Sequence, residues 1–332
     1  MTSHNKLKIS FILFLLVAVC MAPAVTAQSK NRRDAANADM KKALHLRKPH
    51  LGFIKECFKN KNYDKVENLF VKLQEKYNED PIYESPFLRG LEQFTSENGV
   101  SVEDLDAWVK EKESAMAYAA RGIFYAQEGA LARGTKFVKD TDPANFEKMH
   151  QYNVIAFEDL LIATTKDPKL MPAYVWMMGI FKTVGDRPSA EMVLRRALEY
   201  DNRTLYVRLQ FMSVLTPRWG GSYTLMKQFA EECSQLADIN PRLWSFLGDI
   251  DDDRGRVYLY RKQYEKAIEC FNASLKYGDS PEVLNARAAC YYALGDYEKA
   301  IEDYELTLQY SPSDSQALKW SGIAKFRKSE EN

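Results

Sequence analysis

The residues able to do chemistry are few, and their spacing argues against most of it. Beyond the first stretch of chain the histidines are His45, His50 and His150. His45 and His50 stand five apart with Pro49 between them, whereas two side chains share a helix face at a spacing of three or four in an unbroken helix. No Cys, Asp or Glu lies at a spacing from them that suggests a triad or a metal site. Gly-x-Ser-x-Gly, a phosphate-binding glycine loop and His-Glu-x-x-His are all missing from the sequence. The run Asp249-Ile250-Asp251-Asp252-Asp253-Arg254-Gly255 hints at a calcium loop. Arg254 occupies the place where such a loop turns on glycine, and Tyr260 the place of its closing glutamate. The stretch is therefore read as helix, with Asp249, Asp252 and Arg256 on a charged face. Neither a metal nor a cofactor is called for.

Four cysteines follow the start of the chain, Cys57, Cys233, Cys270 and Cys290, with no Cys-x-x-Cys and no ligand spacing. Each lies in a helical stretch beside apolar neighbours, where a free thiol behaves as a small buried hydrophobe. Cys270 and Cys290 are the pair to test for a disulfide, since the repeat register described below puts them on neighbouring helices.

The chain has 332 residues, about two domains' worth. Lys+Arg and Asp+Glu both number 46, a neutral balance that gives no general pull toward nucleic acid or an anionic membrane, since that needs clustered positive charge. Gly and Pro, 15 and 12 residues, make up about 8% of the chain against a usual ~12%, a deficit that favours helices over a turn-rich β fold. Lys6 and Lys8 precede Ile9–Ala22, an uncharged and almost wholly apolar run, which ends in Pro23-Ala24-Val25-Thr26-Ala27. A basic start, a short apolar core and small residues at the end make a secretory signal peptide over 1–27, cleaved after Ala27. The run is shorter than the ~20 residues a bilayer span needs, so no stable membrane span is expected. The mature chain is expected to be exported, periplasmic or secreted, with membrane anchoring through an uncleaved signal or a lipid on Cys20 as the lesser reading. Residues 28–48 carry seven Lys/Arg against Asp34 and Asp39 and are read as a flexible, solvated basic leader, with a tether touching anionic headgroups as the lesser reading.

Repeats organise what remains. Gly295-Asp-Tyr-Glu-Lys-Ala-Ile-Glu-Asp-Tyr304 has a near copy in Lys262-Gln-Tyr-Glu-Lys-Ala-Ile-Glu-Cys-Phe271, and the shared Ala267 and Ala300 are 33 apart. Before each copy lies a helix with matching small and aromatic residues, Gly255 and Tyr258, then Ala288 and Tyr291. Small residues let paired helices approach, and the aromatic rings fill the space around them. One pair cannot bury its apolar face alone, so pairs must stack. Upstream, Ala156 to Ala163 and Ala190 to Ala197 repeat an Ala-x6-Ala pattern 34 residues apart. Pro172–Phe181 supplies a first helix for the second of these and Ala115–Leu131 for the first. Between Leu131 and Ala156 the turn is replaced by an expected insertion of about 20 residues, 132–150, of a length usually tied to function or motion. Ser315–Lys328 begins a third C-terminal unit and stops after one helix, which should cap the stack with a polar outer side.

Leu284, Ala288, Tyr291, Ala300, Tyr304 and Pro312 resemble the signature of the tetratricopeptide-repeat family over about 248–314. Asp251 departs from it where a large apolar residue is usual, so the first helix of that unit is expected to be irregular. Arg218-Trp219-Gly220-Gly221-Ser222-Tyr223, with the stretches around Trp108, Tyr118–Gly122 and Asp167–Leu170, resembles a bacterial family of helical domains of unknown function over about 50–237. That resemblance brings a fold and no chemistry. In physical terms Pro217 ends a helix, Gly220 and Gly221 permit a reversal, Ser222 caps the helix starting at Tyr223, and Trp219 plugs the groove between helix pairs.

The expected fold is all-α, an α-solenoid of helix–turn–helix pairs: 49–240 a helical repeat-like domain of unknown function, 241–332 tetratricopeptide repeats with a capping helix. The expected function is non-catalytic binding of a protein or peptide in the bacterial cell envelope, as a scaffold with a concave helical groove. The alternative is an enzyme or a binder of a small ligand or glycan, using the 132–150 insertion and the Trp219 turn. The resemblance carries the groove positions onto Asp249, Asp252 and Arg256 in one unit, Asn285 and Tyr292 in the next, and Lys319 and Trp320 on the terminal helix. Acids beside Arg256 leave that groove suited to a neutral or basic segment with an aromatic or aliphatic anchor against Tyr292 and Trp320.

Overall fold

The computed structural model describes residues 28–46, 50–135 and 140–330, all in helices, turns and loops with no strand among them. The segment 1–27, where the signal peptide is expected, lies outside these residues. The first described helix, α1, covers residues 28–45. The chain divides into two compact units, 41–233 and a second that joins 234–330 to residues 28–40.

The larger unit holds α2 (Leu51–Lys59), α3 (Tyr63–Glu79), α4 (Glu84–Leu91), α5 (Val102–Lys112), α6 (Ala115–Arg133), α7 (Pro143–Lys166), α8 (Met171–Val184), α9 (Arg187–Tyr200), α10 (Tyr206–Val214) and most of α11 (Tyr223–Ser234). Short polar residues begin these helices by accepting an otherwise orphaned amide: Ser101 from Asp104 N, Ser114 from Ala117 N, Asp186 from Ser189 N. Phe58, Phe70, Phe94 and Trp108 fill the core around α2–α5, with Phe94 5.6 Å from both Phe70 and Trp108. The buried indole is satisfied by Glu67, 2.8 Å from Trp108 Nε1.

The α6–α7 pair shows how the small residues work. A Cβ on Gly122 would lie 2.9 Å from Leu160 Cγ and 3.0 Å from the Ala156 carbonyl oxygen, so α6 rests directly on the backbone of α7. The expected 132–150 insertion is corrected here. Residues 143–150 are the first two turns of α7, started by Asp142, which accepts from Ala144 N, and by Pro143 in the first turn. Of the expected insertion, 136–139 lie outside the described residues, and 132–133 and 143–150 belong to α6 and α7.

In the second unit a 3₁₀ stretch, Pro241–Gly248, leads into α12 (Asp249–Tyr260), followed by α13 (Tyr264–Ser274), α14 (Pro281–Ala293), α15 (Tyr297–Tyr310) and α16 (Ser315–Glu330). The irregularity expected at Asp251 is not found: Asp251 lies within α12, an unbroken α-helix, and the 3₁₀ stretch precedes it. Gly255 of α12 would place a Cβ 2.5 Å from the Phe271 ring of α13, and Ala288, Ala300, Tyr304 and Ala317 form the next buried layer. The two tight turns inside the pairs correspond: Lys262 (φ 58°) and Gly295 (φ 83°) both take left-handed backbone, 33 residues apart.

Two further expectations are corrected in this unit. Residues 28–45 are the helix α1, not a flexible leader. The Asn37 side chain and Asp279 exchange two hydrogen bonds, 2.7 and 3.0 Å, Arg33 pairs with Asp279 at 3.2 Å, and Arg32 stacks over Trp244. Two of the positive charges that read as a solvated leader, Arg32 and Arg33, thus have specific partners far along the chain. The cap α16 also has less than a polar outer side: Leu318 and Phe326 are 52% and 62% exposed.

Candidate functional site

The first helices of the C-terminal repeats are neighbours, α12 against α14 and α14 against α16. The expected groove residues lie on them in two groups. In the first, Arg256 donates through Nε to Asp252 at 3.0 Å, and Asp249 lies in the field of both. In the second, Tyr292 and Trp320 meet edge to face at 5.3 Å, with the exposed Lys319 over the Trp320 ring. Asn285, on α14, is buried; its amide nitrogen reaches Asp314 at 3.4 Å and its Oδ1 is enclosed with no protein partner.

Burial pushes the carboxyl of Asp249 well above the usual carboxylate range, and the nearby Asp252 adds to the shift while Arg256 opposes it. Asp252 is raised as well, again chiefly by burial and against the pull of Arg256. One guanidinium thus serves two half-buried carboxylates. An acid with a raised folded pKa binds more protons folded than unfolded, so its contribution is fully present below the ordinary value of ~3.9 and is lost as pH rises through the folded one. Asp249→Asn keeps the shape and removes the charge. The variant should therefore melt several degrees above the wild type at pH 7, with the gap closing toward pH 4. Thermal melts followed by circular dichroism across that range check this, and a lower melting point at pH 7 would count against it.

The Trp219 turn is built from its backbone outward. α10 ends at Val214, Pro217–Trp219 make a 3₁₀ turn, and Gly220 takes φ 82°. Gly221 N donates to Thr216 O at 3.1 Å, and Ser222 Oγ accepts from Leu225 N at 3.3 Å at the start of α11. Tyr223, the first residue of α11, is half-buried. Trp219 is half-buried, with the Lys182 ammonium of α8 over its ring at 5.5 Å.

Four free thiols complete the reactive groups among the described residues, with Cys57, Cys233 and Cys290 buried and Cys270 half-buried. Burial pushes the Cys290 thiol up to about 11, which keeps it protonated and unreactive at neutral pH. No group of three His, Cys, Asp or Glu among the described residues could hold a metal ion, and no described helix is long and apolar enough to cross a membrane.

Two ion pairs escaped the sequence reading. Arg287 grips Asp303 with two bonds of 2.6 and 2.8 Å, and Arg121 grips Asp159 with two of 2.8 Å. They occupy one place in the repeat: the arginine directly precedes the small residue of the first helix (Ala288, Gly122), and the aspartate follows the small residue of the second (Ala300, Ala156) by three. The signal was present as Arg-Gly or Arg-Ala at 121, 254 and 287. In the 254 unit the acid's place holds Cys270, and Arg254 reaches Asp251 instead, at 3.9 Å.

Comparison with known proteins agrees with this register. Residues 281–314 and 253–277 match models described as tetratricopeptide repeat. No curated protein matches the chain by sequence. Among solved structures it is similar to TTC0263, a thermophilic tetratricopeptide protein of Thermus thermophilus, at 19% identity and a TM-score of 0.32 over 53% of this chain and 92% of that one. It is also similar to the tetratricopeptide domain of P58(IPK), at 13% identity and a TM-score of 0.28 over 85% of this chain and 98% of that one. The segment 253–314 is thus made of tetratricopeptide repeats, a kind of repeat that suggests a scaffold for protein interaction.

Proposed function

We propose that the chain is a non-catalytic scaffold that holds a protein or peptide segment against α12, α14 and α16, and that this segment is basic or neutral with one aromatic or aliphatic anchor. The observation that carries the reading is the charge balance on α12. Asp249 and Asp252 share Arg256, both carboxyls are costly to ionise where they stand, and a lysine or arginine from a partner would supply the missing charge. Tyr292 and Trp320 offer the ring surface for the anchor. The N-terminal unit is read as the bacterial helical domain that its Arg-Trp-Gly-Gly-Ser-Tyr turn resembles.

Fluorescence polarisation with labelled peptides tests this. A basic peptide carrying one Leu or Phe should bind, and Asp252→Ala and Trp320→Ala should each weaken it about tenfold, the size expected when a desolvated charge partner or an aromatic anchor is removed. Strong binding of acidic C-terminal tails, undiminished by Asp252→Ala and lost on Lys319→Ala, would contradict it.

The place of action follows from the start of the chain. The basic residues, the short apolar run and the Ala27 ending support export to a bacterial periplasm or beyond, leaving a mature chain that begins at Gln28. Loss of Lys6 and Lys8 leaves 44 basic residues against 46 acidic. Intact mass of the exported protein should fit a start at Gln28; a mass retaining Met1 to Ala27 would contradict it.

A further inference from the structure

The N-terminal unit contains a cleft of about 300 Å³ walled by α6, α7, α8 and α10, separate from the repeat groove. Met149, Val175 and Ile180 give it apolar walls, and Trp176, Lys182 and Gln210 bring nitrogen donors to it. Lys182 is the unusual member. Its ammonium donates to Ser213 Oγ at 3.3 Å and lies over the Trp219 ring, in the field of the Arg218 cation. Burial, and then Arg218, lower its pKa from the ordinary lysine value. The acid on the wall, Glu92, is engaged by Arg89 at 2.5 Å. Trp176 adds an enclosed indole N–H with no partner in the protein, a state that buried polar groups seldom keep. A Cβ on Gly179 would lie 3.2 Å from Gln210 Nε2, so glycine there leaves room for the amide beside α8.

We propose that this cleft binds a small organic acid through one carboxylate, with Lys182 providing the charge, Trp176 and Gln210 the neutral donors, and Met149, Val175 and Ile180 the surface for a short apolar body. One cation with two neutral donors matches a group of one negative charge and two oxygens. A phosphate dianion is served by the arginine fork or the clustered positive charge that this cleft lacks. The volume is at the small end of the ~300–1,000 Å³ usual for ligand pockets, so the acid is either a free small molecule or the last residue or two of a peptide. A bound carboxylate would give Lys182 a counter-ion and move its pKa back up.

The test uses the full mature chain, with tryptophan fluorescence and calorimetry as readouts. The probes are hexanoate and hexanamide, and the tripeptide Ala-Ala-Leu with a free or an amidated C-terminus. At least one of the two acids should bind saturably, and its matched amide at least tenfold more weakly. Hexanoate binding alone identifies a free acid as the source, and tripeptide binding alone a chain terminus. Lys182→Met should lose at least tenfold while keeping the helical spectrum of the wild type, and Trp176→Phe, which removes only the N–H, should lose several-fold. Lys276→Met, at an exposed lysine of the other unit that lies outside the groove positions, should change nothing. The proposal is overturned if neither acid binds the folded protein, if an amide binds as well as its acid, or if Lys182→Met binds like the wild type. Should Lys182→Met not fold, unchanged binding by Trp176→Phe overturns it.

Discussion

Replacing Gly221 with alanine should destabilise the N-terminal unit more than any other single methyl addition at its glycines. The new Cβ would sit 1.9 Å from the Leu215 carbonyl oxygen and 2.3 Å from the carbon that bears it. Neither atom belongs to a side chain that can swing away, so the backbone of the reversal must open. That would also strain the bond from Gly221 N to Thr216 O and the capping of α11 by Ser222. Overpacking typically costs ~1–3 kcal/mol and occasionally more; a clash of backbone against backbone belongs at or above the top of that range. In a unit of this size each kcal/mol moves the melting point by ~2–4 °C, so a fall of about 6–12 °C is expected. Gly220→Ala is the comparison: its Cβ meets open space, leaving only the left-handed φ, at ~1–2 kcal/mol. Equal melting of Gly221→Ala and the wild type would refute the geometry of the turn.

The second large effect is expected at the ion pair inside the last complete repeat. Arg287→Met leaves the Asp303 carboxylate, 7% exposed, without its bidentate partner. Breaking a buried pair by removing one member costs ~3–5 kcal/mol. The lower part of that range fits here, because the Arg287 side chain keeps 19% of its surface in water and the pair is partly screened. The double variant Arg287→Met/Asp303→Leu removes both charges and should regain most of the loss. Chemical unfolding of the four proteins in a double-mutant cycle measures the coupling. A single variant as stable as the wild type, or a double variant worse than the single by the full amount again, would show that the pair does not act as a unit.

What was legible in the sequence is what depends on local spacing. Ala267 and Ala300, with aromatic residues at fixed distances, report helix pairs because a small residue at a crossing and a ring beside it are needed wherever two helices touch. The turns at Lys262 and Gly295 follow from the same register. Features that depend on distant partners were not legible. The charges of α1 read as a leader because Asp279 and Trp244, which engage Asn37, Arg33 and Arg32, are more than 200 residues away. The 132–150 segment read as an insertion because the Asp142-Pro143 start of a helix was passed over, although aspartate followed by proline is a common helix beginning. The contact of Trp219 with Lys182, 37 residues earlier on α8, is likewise one that no local spacing announces. The α6–α10 cleft brings together residues from Met149 to Gln210 that no spacing in the sequence connects. The expected groove residues did fall on adjacent first helices, since the register alone decides that, but their division into an acidic group and an aromatic group depends on side-chain contacts.

The most direct test of the central claim is hydrogen–deuterium exchange on the protein, with and without a basic peptide carrying a single aromatic anchor. Bound at the first helices, the peptide should slow exchange in 249–256, 285–292 and 316–323 and leave α13 and α15 unchanged. Protection confined to the second helices, or to residues 41–233, would contradict the groove reading.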